Sequence, residues 1–159
     1  MLYFLQQGTV VLALNTPGRI TAMCAGQFLQ PDHIENNQAV GPSSSSIHCT
    51  QVALGCDTGA IYIMSGYEVY QDEFANIQNP ITCMHTLRTT DTQGLDSILC
   101  AGWFNGVAVV KQGQEVGRYK TPAWVNAMVT TSDLVNGSDR EIVIGCKDRS
   151  VHGLQVTMS

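Results

Sequence analysis

A four-residue opening occurs three times in this chain and limits what it can fold into. It reads Ile20-Thr21-Ala22-Met23, then Ile81-Thr82-Cys83-Met84, then Val125-Asn126-Ala127-Met128: a β-branched residue, a polar one, a small one, methionine. Downstream of each comes an apolar run ending in glycine: Val52-Ala53-Leu54-Gly55, Ile98-Leu99-Cys100-Ala101-Gly102 and Ile142-Val143-Ile144-Gly145. A turn follows in each copy, at Cys56 to Gly59, Trp103 to Gly106 and Cys146 to Arg149. A third strand then follows at Ala60 to Met64, Val107 to Val110 and Val151 to Val156, and the first two copies add a fourth at Glu68 to Phe74 and Glu115 to Lys120. Four short strands per unit is the composition of a propeller blade.

The interval supports the repeat. Met84 and Met128 stand 44 residues apart, within the ~40–50 of a blade. Met23 and Met84 are further apart by the length of a polar Pro/Ser/Gly/Asn tract, Gln30 to Ser46, and removing that tract restores the period. The tract reads as a loop insertion, either a passive loop or a docking or phosphorylation segment. A plain β-sandwich also spaces strands at short intervals; methionine recurring alongside glycine favours the repeat. The expected fold is all-β, a partial propeller of about three four-stranded antiparallel blades forming an arc. The expected divisions are 1–17 as the end of a preceding blade, 18–78 as a blade with the 30–46 insertion, 79–123 as a blade, and 124–159 as an incomplete one. A ring needs four to eight blades, so a chain completing the propeller is an expected partner.

Composition narrows the function classes. Only 13% of the 159 residues are charged, the net charge is −5, and no Lys/Arg run exists, so a phosphate-tracking surface for nucleic acid is not expected. No apolar run approaches the ~18 residues of a membrane span, and Met1 to Asn15 lacks the basic start of a signal peptide. The six cysteines show no CxxC or disulfide framework and read as reduced thiols of a cytoplasmic protein.

At the loops before the glycine-ended runs, Asp133 to Glu141 and Asp91 to Asp96, the chain resembles the FG-GAP and WD40-like propeller repeats of integrin α chains and their cytosolic relatives. The segments Val52 to Ile63, Ala101 to Val110 and Glu141 to Val151 resemble most the propellers of Bardet–Biedl (BBSome) subunits and of KICSTOR-type scaffolds. The resemblance implies a non-catalytic scaffold with other protein subunits as partners, in a cytoplasmic assembly that is either cilium-associated and BBSome-like in trafficking or a lysosome-signalling coat complex. The calcium loop of the adhesion members, the alternative reading, is not intact: Asp133, Asn136 and Asp139 in one loop and Asp91 and Asp96 in the other fall short of six to eight oxygen ligands. Cys83-His85 and His48-Cys49 lack zinc-ligand spacing. No cofactor, metal or catalytic residue is assigned, since GxSxG, HExxH and phosphate-loop patterns are absent; an enzyme with its site in a propeller channel is the least favoured reading.

The candidate partner-binding residues are Trp103 and Phe104, two aromatics on a turn whose counterparts are the polar Asp57-Thr58 and Lys147-Asp148. They either pack on a neighbouring blade or anchor a partner. Trp124, where one blade hands over to the next, reads as packing between blades.

Overall fold

The computed structural model describes residues 1–30, 51–88, 94–131 and 140–156. Within them the chain is all-β, in four antiparallel sheets. A hairpin of β1 (Leu2–Gln6) and β2 (Thr9–Leu14) comes first. The next sheet runs β3 (Ile20–Gly26), β4 (Gln51–Cys56), β5 (Ala60–Ser65), with β6 (Glu68–Val69) and β7 (Ala75–Asn76) both on β5. The third runs β8 (Ile81–Leu87), β9 (Ser97–Gly102), β10 (Phe104–Lys111), β11 (Gln114–Lys120). The fourth holds β12 (Val125–Thr131), β13 (Arg140–Cys146) and β14 (Val151–Val156). β3 lies against β8 and β8 against β12, so the first strands line one side of the arc. The Gln7-Gly8 and Gln112-Gly113 turns have positive φ at both residues, the geometry whose twist matches a two-residue hairpin.

Three apolar layers separate the four sheets, and strand alternation fills them. On β5, Ile61 and Ile63 face the third sheet, while Tyr62 and Met64 face the hairpin's Leu2, Phe4 and Leu14. On β9, Ile98 and Cys100 face back toward Ile61 and Ile63, while Leu99 and Ala101 face Ile142 and Ile144. Period-two strands apolar on both faces belong in the middle of a stack.

The repeat's opening is built the same way three times. Each first strand has a register irregularity at its polar second residue, between Ile20 and Ala22, Ile81 and Cys83, and Val125 and Ala127. A bulge there turns the first residue and the methionine, three apart, to one face: Ile81 and Met84 join one layer, Val125 and Met128 the next. The methionines are equivalent, opposite Leu54, Cys100 and Ile144. The glycines are not all so. Ile20, Ile81 and Val125 pair with Cys56, Gly102 and Cys146, so Ala101 is the counterpart of Gly55 and Gly145, and the sequence alignment on glycine is one residue out in the second unit. The polar residue of the bulge also works between sheets: the Thr21 hydroxyl reaches the Ile81 carbonyl of the next sheet, and Thr86 Oγ1 donates to Ala25 O at 2.7 Å.

Two expectations need correcting. The fourth strand of the first full unit does not run unbroken from Glu68 to Phe74: Tyr70 and Phe74 donate to Ile63 O and Ile61 O, and the charged Gln71-Asp72-Glu73 segment between them leaves the sheet. The turn of the second unit does not extend from Trp103 to Gly106. β10 begins at Phe104, leaving Trp103 alone at the tip, and the slack is taken up by a register shift between Phe104 and Ala108.

The buried Gln51 closes the base of the Gln30–Ser46 tract, which itself lies mostly outside the described residues. Its Oε1 accepts from Phe28 N (2.7 Å) and Leu29 N (2.8 Å), and its Nε2 donates to Leu29 O at 3.0 Å. Asp96 adds a second tie, its carboxylate accepting from Gln27 N at 3.0 Å. We predict that Gln51→Leu, which orphans both amides, lowers stability by ~2–4 kcal/mol in urea denaturation; a loss under ~0.5 kcal/mol would contradict the lock.

The described cysteines, Cys24, Cys56, Cys83, Cys100 and Cys146, are free thiols. Desolvation pushes the Cys24 thiol from 9.0 up to about 11 and Cys100 higher still. At pH 8 the folded chain should therefore alkylate at Cys24 roughly 100-fold more slowly than when unfolded, since the thiolate is the nucleophile. Peptide mapping after a timed iodoacetamide pulse reads this; equal rates would refute it.

Candidate functional site

At one end of the sheet stack, a recurring hydrogen bond fixes each strand-two to strand-three turn onto the residue that leads into the first strand. Asp57 N donates to Arg19 O (3.2 Å), Trp103 N to Pro80 O (3.1 Å) and Lys147 N to Trp124 O (2.8 Å). Trp103 is therefore the structural counterpart of Asp57 and Lys147, and Trp124 that of Arg19 and Pro80. Gly102 is required for this approach, because a Cβ there would overlap the Pro80 carbonyl.

Across the junction of the third and fourth sheets these positions meet. The Trp103 and Trp124 rings stack with centroids 6.2 Å apart and planes 15° apart, yet Trp103 is 63% exposed and Trp124 39%. Lys147 Nζ lies 4.8 Å above the Trp124 ring, a cation–π contact. Buried Thr121 shapes the lead-in, its hydroxyl donating to Ala123 O at 2.7 Å and its amide to Asn105 O at 3.3 Å. Asn105, Pro122, Ala123, Trp124, Lys147 and Asp148 line an open hollow beside the rings.

Trp103 and Phe104, adjacent in sequence, part company here. Phe104 is 8% exposed in the layer between the second and third sheets. The Arg118 guanidinium covers it at 5.0 Å and is itself held by Glu115 at 2.7 Å. Trp124, expected between blades, sits at the rim of that junction instead. Lys147, a turn residue by sequence, is the member that pattern reading passed over; only the repeat's register marks it as the partner of Trp103 and Trp124.

The neighbouring turn carries a serine, a histidine and a carboxylate. Ser150 Oγ is 2.6 Å from Asp148 Oδ1 and 2.9 Å from His152 Nε2. Hydrogen bonds from the Ser150 hydroxyl and amide hold the Asp148 carboxyl below its ordinary value. The hydroxyl's one proton goes to the carboxylate, leaving His152 to donate to the oxygen. In a catalytic triad the carboxylate orients the histidine and the histidine takes the serine's proton; here the order is inverted, which makes a turn brace. Among the described residues no group of three or more His, Cys, Asp and Glu side chains is placed to hold a metal. Of the residues weighed for calcium, Asp96 engages the Gln27 backbone, while Asp91, Asp133, Asn136 and Asp139 lie outside the described residues, as do His48 and Cys49.

The sequence matches no family model and no curated protein. Solved structures do match in shape. The crystal structure of BBS1N in complex with ARL6DN, soaked with lead, superposes with a TM-score of 0.54 and 13% identity, over 67% of this chain and 34% of that one. The chain thus spans about a third of the structure it matches, and at that identity the likeness shows the fold: an all-β, propeller-like arc of stacked antiparallel sheets.

Proposed function

We propose that this chain is a non-catalytic protein–protein interaction scaffold, a β-propeller portion of a multi-subunit assembly, and that it docks a protein partner on the Trp103–Trp124 platform. The observation that carries this reading is the solvent-facing indole stack. Two tryptophans buried against one another would need no partner. Two held at a rim, with an open hollow of mixed polar and apolar lining beside them, leave indole area whose removal from water favours binding at ~25 cal/mol per Å². Tryptophan is also among the residues that dominate interface energetics. Phe104 serves the site from below, anchoring the strand that begins where Trp103 projects. The solved neighbour is itself a complex with another protein, ARL6DN, which supports protein partners here. A cytoplasmic, cilium-associated assembly of the BBSome kind is our proposed setting, supported by that fold likeness and by the resemblance of the repeats.

The backbone adds to this. Arg149 has a φ of 72° at the turn position where the first unit has Gly59. A non-glycine residue in that region costs ~1–2 kcal/mol, beside the platform and on an exposed turn. We predict that Arg149→Gly raises stability by ~1 kcal/mol in denaturant titration; a loss would show that the Arg149 side chain carries structure.

The scaffold reading is tested by purifying tagged full-length chain from cells, wild type beside Trp103→Ala and Trp124→Ala, with co-purifying proteins quantified. Each variant should fold as the wild type does and lose a specific partner, with affinity for it, once identified, reduced ~30-fold or more, as for a ~2 kcal/mol hot spot. Unchanged partners in both variants would defeat the reading.

A further inference from the structure

Charge is distributed unevenly along the end of the arc that carries the indole stack. Each sheet presents there a lead-in residue and a turn residue joined by one backbone bond: Arg19 with Asp57, Pro80 with Trp103, and Trp124 with Lys147. The first pair holds one charge of each sign, and the second holds none. The third ends in a cation. The row therefore runs from a balanced pair, across two indoles, to an ammonium group, with Lys147, Asp148 and Arg149 all exposed on the last turn.

These three charges are not equally available. Asp148 is committed to its own turn, its Oδ1 accepting from the Ser150 hydroxyl at 2.6 Å and the Ser150 amide at 3.0 Å. Lys147 has a fixed position but no counter-ion. Its Nζ lies 4.8 Å from the Trp124 ring centroid, and among the described residues no carboxylate forms an ion pair with Lys147 or Arg149. One π face cannot satisfy the three donors of an ammonium group. A cation already held over an indole also loses less freedom when a ligand arrives, which favours a charge-assisted bond to it. The net charge of −5 would by itself favour a basic partner. Charges more than ~8 Å away are largely screened at physiological ionic strength, so Lys147, in contact with the platform, outweighs the distant carboxylates.

We infer that the platform takes an extended segment of a partner protein in which a proline or aromatic ring stands close to an Asp or Glu. The ring lies on the open face of Trp103 and the carboxylate reaches Lys147 Nζ. Spacings of 6.2 Å between the indoles and 4.8 Å from Trp124 to the ammonium set the separation of the two partner residues. At ~3.3 Å per residue of extended chain, they stand no more than about three residues apart. The inference rests on the scaffold reading and adds the chemistry of the partner.

The test is selection of a phage-displayed library of random dodecapeptides on the full chain, followed by fluorescence anisotropy of the enriched peptides. Enriched sequences should carry Asp or Glu within about three residues of a proline or aromatic residue. Lys147→Met, which keeps an unbranched stem on Trp124 and removes the charge, should weaken their binding ~10-fold or more, as for loss of one charge-assisted bond. Lys147→Arg should stay within ~3-fold of wild type, because a guanidinium keeps both the cation–π contact and the donors. Raising salt from ~50 to ~300 mM should weaken binding to the wild type and leave the methionine variant unmoved. The bond that Lys147 makes to Trp124 O comes from its backbone amide, so circular dichroism of both variants should match the wild type. No enrichment, enriched peptides that are uncharged or basic, or affinities indifferent to Lys147→Met would each overturn the inference. Uncharged peptides that lose binding on Trp103→Ala would leave the scaffold reading standing and remove the acidic partner. Peptides indifferent to Trp103→Ala would remove the platform itself, and this inference with it.

Discussion

The stack depends on thioether sulfur lying against bare backbone. Met84 can reach Gly55 only because no side chain occupies that point, and it can turn toward it only because a bulge at Thr82 offsets the strand's alternation. Methionine suits the role, being unbranched and polarisable enough to fill an irregular gap. Sheets packed through such contacts sit closer along their inner strands, near enough for the Thr21 and Thr86 hydroxyls to span them. Close packing near the axis and broad apolar layers further out make neighbouring sheets fan into an arc.

Much of this was legible in the residues. The openings at Met23, Met84 and Met128 occupy equivalent positions, because the pattern of branched, polar, small and thioether side chains encodes bulge and seat together. The glycine alignment missed by one residue at Gly102, for a physical reason. In the first unit glycine makes the seat for Met84, whereas in the second Ala101 shares a layer with Met128, and Gly102 is needed at the next position to let the Trp103 tip approach Pro80. One residue type met two requirements, and spacing alone does not separate them. The broken outer strand at Gln71-Asp72-Glu73 was equally hidden, since edge strands are specified weakly by pattern.

The site was half visible. Two aromatics on a turn flagged Trp103 and Phe104 together, but consecutive residues on a strand face opposite ways, so one was bound to go inward once the turn shrank to a single residue. That Trp124 stacks on Trp103, with Lys147 over the Trp124 ring, is a tertiary fact with no local signature. The strained φ of Arg149 is likewise invisible until Gly59 is known to be its counterpart.

The amide of Gln51 has a consequence of another sort. By clasping Phe28 and Leu29 it holds the two mouths of the intervening tract at a set separation, whatever lies between. The pairing of β3 with β4, which sets Met23 opposite Leu54, is therefore locked at its open end by one side chain, and strand order there is secured without help from the connection itself.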